Sequence, residues 1–89
     1  MIYQVYVTRN KKSGQFGKLD LQPFDEKAAI ENYSCAYLEA TEESKTLLKE
    51  LDLYHIGSYD TMTGVLAPIT PVLLIDLGAV TYGRKEAEN

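Results

Sequence analysis

Tryptophan is absent from this chain, cysteine and histidine occur once each, and proline only three times in 89 residues. The single cysteine, Cys35, excludes an intramolecular disulfide and a cysteine-based metal cluster, and it suits a reducing compartment. We read it as a small buried hydrophobe. Long apolar runs are missing too: the longest, Val72 to Ile75, falls far short of the ~20 residues a bilayer requires. The N-terminus has no basic stretch leading into an apolar core. These absences predict a soluble, unprocessed chain with no membrane partner.

Catalytic and ligand-binding patterns are equally sparse. His55 has no second His or Cys at ligand spacing, and Asp60-Thr61-Met62-Thr63-Gly64 lacks the alternating oxygen ligands of a calcium loop, so neither metal nor cofactor is expected. A catalytic histidine also needs a nucleophile or an orienting carboxylate, and Asp52, close in sequence, falls on the opposite face of a strand from His55. No glycine-rich segment ends in Gly-Lys-Ser/Thr, which excludes a P-loop. Gly14-Gln15-Phe16-Gly17 has the letters of a G-x-x-G nucleic-acid clamp, but that clamp needs a helix on each side, and a flexible turn fits better. An enzyme is the class with least support.

Positive charge is scarce overall, with a formal charge of -4, which argues against coating duplex DNA through a whole-surface field. Its placement is uneven. Residues 1 to 20 carry Arg9, Lys11, Lys12 and Lys18 against Asp20 alone, a net of +3, whereas residues 25 to 52 carry eight acids against three lysines, a net of -5. A basic loop beside an acidic helical stretch is the expected arrangement.

A chain of 89 residues makes one small domain with a thin core, here expected over 1–83, with a charged tail at 84–89 that frays. Ile2 to Thr8 alternates as a strand buried on the face of Tyr3, Val5 and Val7, leaving Tyr6 on the other. Arg9 to Lys18 is a mobile loop or the tip of a long hairpin, and Leu19 to Leu21 a short second arm. Asp25 caps a helix, Phe24 folds back on Ala29, and Ala29, Ile30, Tyr33, Ala36, Tyr37 and Ala40 form its apolar stripe. Thr41-Glu42-Glu43 is a second cap, with Leu47, Leu48 and Leu51 continuing the helical period. Leu53 to Asp60 is a strand, and Asp60 and Gly64 close a hairpin into Val65-Leu66-Ala67. Residues 71–82 suit a helix opened by Pro71 or a buried strand equally. The fold class is therefore α+β.

Seven tyrosines without a tryptophan leave two readings open. In one, exposed Tyr6 and Phe16, with Tyr54 or Tyr59 of the hairpin on the same face, stand beside Arg9, Lys11, Lys12 and Lys18 as a stacking platform for single-stranded DNA. In the other, the tyrosines cover a thin core or a seam between subunits, and a homo-oligomer is expected because a short sheet leaves edges unpaired.

The order of parts is an opening strand with Tyr3-Gln4-Val5-Tyr6, a polar loop with Ser13-Gly14, an Asp25-led helix, then Leu53-x-x-Ile56-Gly57-x-x-Asp60-x-x-x-Gly64, and Pro71 near the end. Over nearly the whole chain this resembles the small nonstructural protein of gokushoviruses, the single-stranded DNA phages of the Microviridae. The resemblance implies a non-enzymatic protein of the host bacterial cytoplasm, described as DNA-binding or as acting in the switch to single-stranded genome synthesis and packaging. Its alternative role is an adaptor engaging the phage replication initiator, the capsid precursor or a host replication protein. The signature residues Leu53, Ile56, Gly57, Asp60 and Gly64 read as strand and turn chemistry.

Overall fold

A computed structural model describes residues 1–80, so the domain end expected at 83 and the tail at 84–89 lie outside the described residues. Strands β1 (Ile2–Asn10), β2 (Asp20–Gln22), β3 (Leu51–Asp60) and β4 (Val65–Asp76) form one antiparallel sheet in the order β2-β1-β3-β4. Helices α1 (Glu26–Leu38) and α2 (Glu42–Leu48) lie between β2 and β3 in the chain. The arrangement is α+β, as expected.

Both helices begin where their caps place them. The Asp25 carboxylate accepts from the Ala28 N–H at 2.9 Å, and the Thr41 hydroxyl accepts from the Ser44 N–H at 3.1 Å, each satisfying a donor that the first turn leaves unpaired. The apolar stripe of α1 is used only in its first half. Ala29 is buried against Tyr6 and Leu53, with Phe24, Tyr33, Leu74 and Ile75 around them, whereas Ala36 is exposed. Cys35 is exposed as well, which corrects its expected place in the core. The predicted continuation through Leu47 and Leu51 also fails: α2 is two turns long, Leu47 is 72% exposed, and Leu51 already belongs to β3. No residue of α2 is buried, so α2 covers neither face of the sheet.

Tyr33 ties α1 to β2 by donating a short hydrogen bond to Asp20. Burial, reinforced by that bond, pushes its phenol well above the ordinary range.

Three irregularities shape the sheet, the smallest being Leu74, left extra on β4 where Leu53 pairs with Ile75 and Tyr54 with Leu73. Val5 pairs with Gly57 and Tyr6 with His55, leaving Ile56 as an extra residue on β3. Across the other edge, Gly57 pairs with Pro68 and His55 with Val72, so β4 carries Ile69, Thr70 and Pro71 opposite Ile56. These are β-bulges, which bend a strand and sharpen its twist. The segment left open between helix and strand continues β4 to Asp76, because Val72, Leu73, Ile75 and Asp76 find partners on β3. A short 3-10 helix, Leu77–Ala79, then ends the described chain, with Asp76 accepting from Gly78 N–H at 2.9 Å.

Candidate nucleic-acid interface

Period-two alternation assigns the side chains of the sheet to two faces. Tyr6, Leu53 and His55 share the face that α1 covers, since Tyr6 and Leu53 pack on Ala29 and His55 meets Tyr6 at 5.1 Å between ring centroids. The opposite face therefore holds Tyr3, Val5, Val7 and Arg9 of β1, joined in register by Tyr59, Gly57, Tyr54 and Asp52 of β3. Leu21 enters it beside Val5, and Leu66, Pro68 and Leu73 of β4 enter it beside Tyr59, Gly57 and Tyr54. No described helix covers this face, which we call the open face; at its centre Val5 and Val7 are nevertheless buried, and its exposed residues lie around them.

The basic segment is an ordered hairpin tip. Asn10 builds it: its side-chain oxygen accepts from the N–H groups of Lys12 (2.8 Å) and Ser13 (3.1 Å), and its carbonyl accepts from Gly14 N–H at 2.7 Å. Gly14 turns the chain with φ 76°, a left-handed conformation that glycine adopts without steric cost. The return arm is held by Gly17 N–H donating to Thr8 O at 2.8 Å and by a bridge between Arg9 and Phe16. The G-x-x-G letters are thus turn chemistry, with strand on both sides.

That bridge brings Phe16 onto the open face. Its ring stands edge-on to Tyr54, with centroids 5.5 Å apart, and the Arg9 guanidinium lies 5.8 Å from its centroid. Arg9 Nε donates to Gly14 O at 3.1 Å, which fixes the guanidinium over the ring. Phe16 remains 49% exposed, so one side of the aromatic pair is available to a ligand. Lys18 is also exposed, in the return arm of the hairpin.

The other predicted site residues fall elsewhere. Tyr6 is fully buried, contrary to the exposed position expected of it: its hydroxyl donates to Phe24 O at 2.7 Å, and its ring stacks on Phe24 at 6.0 Å. Both faces of β1 are buried at its centre, so alternation alone assigned Tyr6 to the solvent side wrongly. Burial, with Glu26 and Asp25 nearby, raises its phenol pKa. Lys11 is held by Asp76 at 2.5 Å, and its N–H donates to Glu50 O at 2.8 Å. The hydrogen bond between the two side chains raises the Lys11 ammonium pKa and lowers that of the Asp76 carboxyl. Lys12 reaches Glu50 at 3.6 Å while staying largely exposed. Of the four basic residues expected to act together, Arg9 lies beside the aromatic pair, Lys18 is exposed two residues along the chain from Phe16, and Lys11 belongs to the clasp that closes the sheet end.

Two constellations assemble only on folding. Tyr54 is the partner of Phe16, and its placement follows from its register opposite Val7. His55 has the carboxylate that its neighbours in sequence did not provide: Glu26 of α1 lies 2.6 Å from its Nδ1, while Nε2 faces Gln4 Oε1 at 2.9 Å and Gly57 O at 3.0 Å. These hydrogen bonds involve no hydroxyl or thiol, and the arrangement clasps α1 to the bulged strand. The signature residues are structural in the same way: Leu53 is in the core, Ile56 is the bulge, and the Asp60 side chain accepts from Met62 N–H at 2.9 Å. Gly64, at φ 74°, donates to Asp60 O at 2.8 Å and closes the β3-β4 turn.

Among the described residues no cluster of three or more His, Cys, Asp or Glu side chains is placed to hold a metal ion, and no helix is long and apolar enough to cross a membrane. No protein-family model, curated protein or solved structure matches this chain.

Proposed function

We propose that this chain is a non-enzymatic single-strand-binding protein of the gokushovirus type, acting in phage replication or in the switch to single-stranded genome synthesis and packaging in the host bacterial cytoplasm. The observation that carries this reading is the Phe16–Tyr54 pair on the open face, with the Arg9 guanidinium beside it. Aromatic rings on the uncovered side of a four-stranded sheet are a physical solution to holding unpaired bases, because every base offers a π-face and needs no sequence match. Arg9 and Lys18 supply the local positive charge that the acidic chain otherwise lacks. Stacking on Phe16 and Tyr54 provides the affinity, and Arg9 and Lys18 guide the backbone.

Fluorescence anisotropy with a labelled oligo-dT across a salt series tests this. Binding at low salt, weakening as salt rises and falling when Arg9 and Lys18 are neutralised, is the expected result. No binding at low salt, or binding indifferent to both substitutions, would sink the proposal.

A second reading draws on the ion pairs Lys11–Asp76 and Lys12–Glu50, which consume half of the basic cluster. In it the chain is an adaptor, engaging the replication initiator, the capsid precursor or a host replication protein. A pull-down from infected cells with nuclease added separates the two, since an adaptor keeps a phage or replication partner after the DNA is destroyed.

A further inference from the structure

The Phe16–Tyr54 pair occupies one end of the open face and Tyr3 stands opposite Tyr59 towards the other, but the large exposed hydrophobic residues that β2 and β4 bring to that face are leucines. Leu66 and Leu73 are 56% and 54% exposed, and Leu21 is 40% exposed, all on the side of the sheet away from α1. Leucine gives a base little to stack on, yet it is what a second hydrophobic layer buries. We propose that the open face is where two copies of this chain meet, sheet against sheet, and that a bound single strand and the second copy exclude one another.

Three observations select a second copy as the occupant. The first is area. Strands of 9, 3, 10 and 12 residues, at about 4.8 Å spacing and about 3.4 Å per residue, give a face of roughly 550 Å² in projection before side-chain relief is added. Stable interfaces bury about 800 Å² per partner, so most of this face is what a dimer needs. The second is charge. The chain carries -4, but on the open face Arg9 stands opposite Asp52, and Asp52 in turn opposite Asp76, which Lys11 holds at 2.5 Å, so the two acids are matched by two bases and two such faces meet without net repulsion. The third concerns the competing route. β4 is an edge strand with no charged residue from Val65 to Ile75, and it would invite strand addition, but Pro68 and Pro71 remove two donors and the bulge between them breaks the ladder. Association is directed from the edge to the face. A two-fold axis through it makes the contact self-complementary and places α1 of each copy on the outside.

The part of this inference that concerns nucleic acid rests on the function proposed above; the dimer does not. Phe16 and Tyr54 lie on the same face as the leucines, so a docked copy covers them.

Sedimentation velocity on the full chain, alone and with oligo-dT, tests both parts. A dimer is expected at tens of micromolar. Leu66→Glu and Leu73→Glu, each at a position more than half exposed and hence tolerant of the fold, should weaken it at least tenfold with the circular dichroism unchanged. Leu47→Glu, on α2, should leave it intact. Raising salt should weaken the oligonucleotide complex while the dimer constant stays within about threefold, because apolar contact is not screened. Saturating oligo-dT should convert the dimer to one chain per oligonucleotide.

A monomer at 100 μM concentration, or a dimer that both leucine variants leave unchanged, overturns the proposal. An oligonucleotide that binds the dimer without dissociating it overturns the exclusion. If oligo-dT does not bind at all while the leucine variants dissociate the dimer, the face-to-face contact stands and the proposed function falls.

Discussion

Gly57 stands so close to Pro68 across the β3-β4 ladder that a β-carbon at Gly57 would lie 3.2 Å from the Pro68 α-carbon and 2.6 Å from the Ala67 carbonyl oxygen. The obstructing atoms are backbone, which cannot rotate aside. Gly57→Ala should therefore force the two strands apart and destabilise the domain by about 1–3 kcal/mol, the range of an overpacked core. Urea unfolding followed by circular dichroism measures this. Wild-type stability for Gly57→Ala would mean that the strands already sit further apart.

The His55 clasp makes a second stability prediction. His55 has a side chain 13% exposed and joins α1 through Glu26 to the bulge through Gly57 O. His55→Ala removes both links and leaves the Gly57 carbonyl and the Gln4 side chain without their part-buried partner, at a cost of about 1–3 kcal/mol. Glu26→Gln should cost less, because the Glu26 side chain is 46% exposed and water replaces much of the contact. A double-mutant cycle should return a coupling energy above about 0.5 kcal/mol; additive losses would show that the two side chains do not act as a pair.

How much of this was legible beforehand divides along physical lines. Caps and turns were readable, because Asp25, Thr41, Asn10 and Gly64 act on backbone within a few residues of themselves. The strand character of 71–76 was not, because Val72 to Ile75 is apolar without alternation, and its partners lie about twenty residues upstream on β3. Tyr6 was misplaced for a related reason. A strand paired on both sides and buried on both faces hides its even residues as well as its odd ones, and alternation cannot reveal that. The site divides the same way: Phe16 was visible beside Arg9 in sequence, but Tyr54 and Glu26 joined their partners only through folding.

The Lys11–Asp76 pair predicts a pH dependence at both extremes. Asp76 is held below its ordinary 3.8, so its contribution to stability is present above that value and is lost as pH falls through the lower folded value. Lys11 is held above its ordinary 10.5, so its contribution is present below that value and is lost as pH rises through the higher folded one. Lys11→Met should thus be less stable than wild type across the neutral range, by under about 1 kcal/mol because both side chains are partly exposed. The difference should shrink below pH 3.8 and above pH 10.5. A difference that is flat across both limits would show that the pair contributes nothing.

Tyr6 and Phe16 should separate stability from binding. Tyr6→Phe deletes the hydroxyl that donates to Phe24 O and should cost about 0.5–1.5 kcal/mol of stability with oligonucleotide affinity unchanged. Phe16→Ala, at a half-exposed ring, should leave the fold intact and weaken oligo-dT by roughly 5- to 150-fold, the worth of one stacked base. Anisotropy and thermal melts on the same samples decide it, and the reverse pattern would move the platform to the other face.

The basic residues allow the sharpest separation, because their roles differ in the salt dependence of binding and not only in its strength. Each phosphate neutralised on a single strand contributes about 0.7 to the slope of log affinity against log salt. Lys18, exposed in the return arm two residues along the chain from Phe16, should contribute such a contact, so Lys18→Ala should flatten the slope by about that amount. Lys11 already gives its ammonium to Asp76 and its N–H to Glu50 O, and a phosphate would have to displace a carboxylate 2.5 Å away. Lys11→Ala should therefore lower stability and leave the slope as it was. If Lys11→Ala flattens the slope as much as Lys18→Ala does, the clasp opens on binding and Lys11 returns to the interface.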